Sequence, residues 1–182
     1  MARAAQDDAL VIALSIVIPT HNRAERLRQN LLALTRQTAA PDVYEIVVVA
    51  DGCTDGTAGM VADVVATTPV RLVVVTQSPS GAAAARNLGA ASASAAVLLF
   101  LDDDMEATPD LVSAHIAAHR HRPRTVVIGR FSTPADPTAS LLSKDARRWW
   151  ADRAAARSRP DHRFTFLDVC TGHLSMPREL FD

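Results

Sequence analysis

A chain of 182 residues has room for one domain with a proper core and is too short for two comfortable ones. Its 48% hydrophobic and 21% charged content is that of a soluble globular protein, and a net charge of -1 gives no overall electrostatic case for nucleic acid or an anionic membrane. The longest apolar runs, Leu10–Ile18 and Ala95–Leu101, fall short of the ~20 residues that cross a bilayer. Cys53 and Cys170 stand far apart without metal-ligand spacing and read as free thiols of a reducing compartment. Met1–Asp8 lacks the basic-then-apolar order of a secretory leader, so the expected location is cytoplasmic.

Short apolar runs alternate with Ala-rich helical stretches, the rhythm of a parallel α/β sheet. Leu14–Ile18 reads as the first strand, stopped by Pro19, and Ala24–Gln37 as a helix with Leu27, Leu31, Leu32 and Leu34 at helical spacing. Tyr44–Ala50 is the second strand, its unbroken apolar run implying burial on both faces. A helix over Thr57–Ala66 follows, capped by Asp55 or Thr54. Arg71–Thr76 is a third strand, Gln77–Gly81 a turn-rich loop and Ala82–Ser92 a small-residue helix. The fourth strand, Ala95–Leu101, runs straight into Asp102-Asp103-Asp104. A helix from Pro109 to His119, a strand over Thr125–Phe131, a helix over Leu141–Arg157, a strand over Phe164–Cys170 and a helix start at Pro177–Phe181 complete the reading.

Ligands of such sheets sit beyond the carboxyl ends of the strands, where strand order reverses. That rule selects Pro19–Arg23, Asp51–Thr57, Gln77–Arg86, Asp102–Asp104 and Thr171–His173. Three adjacent carboxylates after a buried strand repel one another and call for a cation. Asp102 and Asp104, two apart on extended backbone, face one way and suit a hard ion such as Mg2+ or Mn2+; the competing reading is a solvated acidic turn. The glycines of Asp51–Thr57 allow a sharp turn where Asp51 accepts hydrogen bonds from a base or ribose, or simply caps a helix. Arg86 stands among small residues and either neutralises phosphate or lies on the surface. His115, His119 and His121 are read as a solvated helix face, with a metal cluster as the weaker alternative. Trp149 and Trp150, among the arginines of Lys144–Arg163, are read as packing over the sheet edge; the weaker alternative is peripheral membrane contact through Arg147, Arg148, Trp149 and Trp150.

Four strings in order, Ser15–Arg23, Asp51–Thr57, Ala85–Gly89 and Leu101–Asp104, make the chain resemble the inverting family 2 glycosyltransferases of the GT-A fold. The resemblance implies a Rossmann-like three-layer α/β/α sandwich with a mainly parallel sheet, one domain over residues 1–182. It implies nucleotide binding by Pro19, Thr20, His21, Arg23, Asp51, Arg86, Asp102 and Asp103, and a Mg2+ or Mn2+ ion on Asp104 and Asp102. Pro19, His21 and Asp51 would line the base pocket, and Arg86 would lie near the diphosphate. The donor would be a nucleotide diphosphate sugar, UDP-linked, and the acceptor a glycan, lipid or small molecule. His173 falls on the acceptor side.

The family's general base, an Asp or Glu, follows the Cys170–Arg178 turn by a dozen or more residues, so the expectation is that it lies past Asp182 and that the chain is an N-terminal fragment. Ala50 replaces a first Asp, and His173 a common Asn. A non-catalytic nucleotide- and metal-binding module is the second reading. A sugar-phosphate nucleotidyltransferase is a distant third, because its glycine-rich loop is absent after the first strand. A dinucleotide-binding Rossmann protein fails the same test.

Overall fold

The computed structural model describes residues 12–122, 124–130 and 140–181. Six strands form one sheet: β1 (Leu14–Thr20), β2 (Tyr44–Asp51), β3 (Arg71–Gln77), β4 (Val97–Leu101), β5 (Val127–Ile128) and β6 (His173–Pro177). Their order is β3-β2-β1-β4-β6-β5. The first four are parallel, and β6 runs antiparallel to both β4 and β5. The helices are α1 (Ala24–Leu34), α2 (Thr57–Val65), α3 (Ala82–Ser92), α4 (Leu111–His121) and α5 (Leu141–Arg157).

Alternation along the strands sorts the core into two layers. Leu14, Ile16 and Ile18 of β1 point to one face, joined by Ile46, Val48, Leu99 and Leu101. There they bury Leu27, Leu31 and Leu34 of α1, Val61 and Val64 of α2, and Leu111 and Val112 of α4. Val17, Leu98, Phe100 and Leu174 point to the other face, with Ala90 of α3 and Phe181. Helix α3 can lie this close because it is built of small residues: a Cβ at Gly89 would fall 2.4 Å from Val17 Cγ1. The three-layer sandwich expected from the sequence is the architecture found.

Several expected elements are redrawn. β1 runs through Pro19 to Thr20, because its ladder to β4 ends at Val17 and a proline is tolerated where one side needs no donor. Helix α1 stops at Leu34, short of Gln37, and β5 is only Val127–Ile128; Phe131 lies outside the described residues. Phe164–Cys170 is not a strand. Thr165 and Asp168 form a capping box that folds Phe166–Asp168 into a single 3-10 turn, and Phe166 is 82% exposed. The true strand, His173–Pro177, follows it, and Arg178–Leu180 is a 3-10 turn in place of a helix start. Arg178 donates to the carbonyls of Ala90, Ala93 and Ala95, so it ties the end of α3 to the end of β6.

Candidate donor and metal site

Strand order reverses between β1 and β4, with β2 on one side and β6 on the other. The loops leaving β1 and β4 therefore diverge and open a crevice. A cleft of about 590 Å³ lies there, lined by Pro19, Thr20, His21, Arg23, Asp51, Ala82, Arg86, Asp102, Asp103 and Asp104. Apart from Ala82, every one of these was singled out in the sequence. They come from four separate strand ends, so the fold brings them together. A larger cavity of about 810 Å³, between the end of α4, β5 and α5, is lined by Arg122, Arg130 and Arg157 and, among the described residues, by no acid.

The first two loops are stapled to one another. Asn22, with a positive φ of 52°, accepts from the Thr54 amide at 2.7 Å. Asp55 accepts from Ala24 N at 2.9 Å and from Thr57 N at 3.2 Å, so one carboxylate serves the starts of both α1 and α2. The capping role expected of Asp55 is real, although the residue directly before α2 is Gly56. His21 Nδ1 bonds the Asp51 carbonyl, which can only accept. The proton therefore sits on Nδ1, and Nε2 is left to accept from Asn22 Nδ2 at 3.4 Å.

The acids of the site divide into two kinds. Asp51 is 6% exposed, and its oxygens receive Gln77 Nε2 at 2.8 Å, Ser80 N at 2.7 Å and Gly81 N at 2.8 Å. Those bonds, Gln77 first, hold its carboxyl below the ordinary range and fix the loop between β3 and α3. Asp103 is 5% exposed and accepts from Thr20 Oγ1 at 2.8 Å and from Arg23 at 3.1 Å. Asp102 and Asp104 are different: their side chains are 42% and 41% exposed. Asp102 meets Arg86 at 2.6 Å and Asp104 meets Arg23 at 3.3 Å. The run is not extended as expected from the sequence: Met105 N closes a turn onto the Asp102 carbonyl at 3.3 Å, and around that turn Asp103 faces inward while Asp102 and Asp104 stay on the wet side.

Two supports escaped the sequence reading. Asn30 of α1 donates to the Asp102 carbonyl at 2.9 Å, and the Gly172 carbonyl accepts from Asp102 N at 3.0 Å. A Cβ at 172 would lie 2.4 Å from Asp102 Oδ2, so a larger residue there would displace the Asp102 carboxylate. Asn30 had a signal, being a polar residue on the apolar stripe of α1.

The histidines correct an expectation. His115 and His119 are not on a solvated face; they are 5% and 6% exposed. They share the helical stripe of Leu111, at four-residue spacing, and that stripe faces the sheet. Ser175 Oγ lies 2.7 Å from both His115 Nδ1 and His119 Nε2, and His115 Nε2 lies 3.0 Å from His173 Nε2. Burial, then the two neighbouring imidazoles, pushes His115 down to about 4, and burial lowers His119 and His173. The cluster is thus neutral. His173 is buried in it and does not line the cleft, although Gly172 beside it packs on Asp102. His121 lines the larger cavity.

Trp149 is 51% exposed, stands edge-on to Trp150 and lies under Arg153, which also reaches the 3-10 turn at Leu167 and Asp168. Both cysteines are free thiols. Among the described residues no helix is long and apolar enough to cross a membrane.

A family model described as Glycosyl transferase family 2 matches residues 15–182. The chain is 42% identical over 117 residues to validoxylamine A glucosyltransferase of Streptomyces hygroscopicus subsp. limoneus, covering 64% of this chain and 26% of that protein. It is 36% identical over 117 residues to the uncharacterized glycosyltransferase YfnE of Bacillus subtilis, covering 64% and 29%. The chain thus spans between a quarter and a third of the length of these curated relatives. Among solved structures, mannosyltransferase PcManGT from Pyrobaculum calidifontis, in complex with GDP-Man and Mn2+, superposes with a TM-score of 0.66 at 21% identity, over 92% of this chain and 45% of that one. S. aureus TarS 1-349 in complex with UDP-GlcNAc gives 0.61 at 22% identity, over 71% and 36%. At those identities the likeness is one of fold.

Proposed function

The chain belongs to glycosyl transferase family 2, and we propose that it is the donor-binding part of an inverting enzyme that moves a sugar from a nucleotide diphosphate sugar, UDP-linked, to an acceptor hydroxyl. The observation that carries this is the single cleft of about 590 Å³ into which residues from four strand ends converge. PcManGT with GDP-Man and Mn2+, and TarS with UDP-GlcNAc, share the fold.

In this reading Pro19, Thr20, His21 and Asp51 form the wall for base and ribose. The His21 ring is held by the Asp51 carbonyl, so it presents a fixed face for stacking. Arg86 supplies positive charge for the diphosphate, and Asp102 takes ribose or sugar hydroxyls through the oxygen that Arg86 leaves unused. Asp103, bound to Thr20 and Arg23, locks the β4 loop to the β1 loop and acts on the nucleotide through them.

The donors fit a hard divalent cation, Mg2+ or Mn2+. Asp104 and Asp102 offer carboxylate oxygens only, both about two-fifths exposed. Among the described residues no three His, Cys, Asp or Glu side chains are gathered to hold an ion by themselves. Two carboxylates completed by waters and substrate phosphates are the usual arrangement for Mg2+. When bound, such an ion neutralises charge on the departing diphosphate. On the acceptor side, His173 anchors β6 against β4 opposite Leu101 and so supports the wall next to Asp102. A peripheral lipid contact through Arg147, Arg148, Trp149 and Trp150 is the second reading of that segment beside packing of the tryptophan pair; what supports it is the half-exposed Trp149 under Arg153.

The test is calorimetric titration of UDP, GDP and dTDP with and without Mn2+. UDP should bind tightest, and only with the metal; equal, metal-independent affinity for all three would sink the proposal. Transfer or donor hydrolysis separates an enzyme from a module that binds nucleotide and metal without turnover.

A further inference from the structure

Arg23 is the residue of the cleft whose position the donor-site reading leaves least explained. One of its nitrogens, Nη1, spans two carboxylates, Asp103 at 3.1 Å and Asp104 at 3.3 Å. A guanidinium stays protonated at any working pH, so Arg23 stands there as a cation. It occupies one oxygen, Oδ2, of the Asp104 carboxylate that would hold a metal ion. The two arginines of the site are not equivalent. Arg86 rises from helix α3, its side chain is 17% exposed, and it sits 2.6 Å from Asp102. Arg23 precedes the first turn of α1, and its side chain is 53% exposed. It can swing into solvent without opening a hole in the core, and Asp103 keeps its bond to Thr20 if it does.

Charge balance then dictates an exchange. Three adjacent carboxylates need cationic partners in the absence of ligand, and the two arginines supply them. A divalent ion entering alone must share Asp104 with a guanidinium that Asp103 still holds at 3.1 Å, and the two positive charges repel. A nucleoside diphosphate entering with the ion brings an anion that a guanidinium binds through two hydrogen bonds. Resting on the donor-site reading above, we propose that Arg23 is a built-in stand-in for the metal: it holds Asp103 and Asp104 until ion and nucleoside diphosphate arrive together, and then passes to the diphosphate. Arg23 thereby makes the two ligands bind cooperatively. Linkage requires the effect to be mutual, the metal tightening the nucleotide by the factor with which the nucleotide tightens the metal.

The experiment measures Mn2+ uptake by electron paramagnetic resonance of the free aqueous ion, on the whole chain, with and without UDP. Wild type, Arg23→Gln and Arg23→Lys are compared, with melting curves as a check on folding. In wild type UDP should tighten Mn2+ at least about fivefold, the lower end of ordinary coupling. Arg23→Gln should bind Mn2+ alone about two- to fivefold more tightly, the range spanned by a half-exposed ion pair, and UDP should add little further. Arg23→Lys, which keeps the charge but loses the fork, should fall between the two. Tighter binding on removal of a side chain is a result that a merely structural role cannot produce. If Arg23→Gln weakens Mn2+ in both conditions, or changes neither, the exchange is wrong while the donor site stands. If wild type takes up no Mn2+ even with UDP, the donor-site reading fails and the exchange with it.

Discussion

Two carboxylate–arginine clusters sit at opposite ends of the same sheet, and they are built to opposite specifications. At the amino end, Glu45 of β2 is fully buried. It accepts from Ser15 Oγ at 2.6 Å, from Ser94 N at 2.6 Å and Oγ at 2.7 Å, and from Arg71. Burial raises its pKa, but those donors outweigh burial and leave it below the ordinary value. At the carboxyl end, Asp102 and Asp104 each face an arginine but remain about two-fifths exposed. A saturated, dry acid serves the fold, and a wet acid with an exchangeable partner is available to a ligand. The rule also divides the carboxyl end itself, where the buried Asp51 and Asp103 hold loops.

The comparison can be broken by exchanging the two roles. Glu45→Ala leaves the Ser15 and Ser94 donors unmatched in a dry site and should cost about 3 kcal/mol of stability by urea unfolding; a loss under 1 would show that the cluster is not structural. Asp104→Ala should lower Mn2+-dependent UDP affinity about a hundredfold by calorimetry, with stability within about 0.5 kcal/mol of wild type. An Asp104→Ala protein that unfolds as readily as the Glu45 variant would erase the distinction.

Acid should act at a third place, the histidine cluster that backs the site. His115 is about 4 in the folded chain and 6.5 unfolded, so the unfolded chain binds the extra proton. Stability from keeping it neutral is complete above pH 6.5 and is lost as the pH falls from there toward 4. From pH 7 to pH 5 the unfolding free energy should drop by about 2 kcal/mol on this account, and His115→Gln should flatten that part of the profile. The smallest effect belongs to Asp55→Ala, which removes the shared cap of α1 and α2 and should cost about 1 kcal/mol. Its melting curve should shift more than that of Asp104→Ala.

The parallel half of the molecule was legible because its strands are long, apolar and buried on both faces. Tyr44–Asp51 contains nothing else to be, and the Asp102–Asp104 run follows β4 with no loop between. The antiparallel half was not. Phe164–Cys170 carries the apolar density of a strand, yet Thr165 and Asp168 close it into a turn that leaves its apolar side chains in water. His173–Pro177 is short and half polar, and becomes a strand only because β4 offers it an open edge.

Local sequence determined which residues stand at the strand ends: chain connectivity places Pro19–Arg23, Asp51 and Asp102–Asp104 there whatever the rest of the fold does. Tertiary structure decided what each one does there. Exposure and partners are properties of neighbours distant in sequence. Thr20 turns Asp103 inward, Gln77 and Ser80 occupy Asp51, and Ser175 claims two histidines that share the buried stripe of Leu111 on α4.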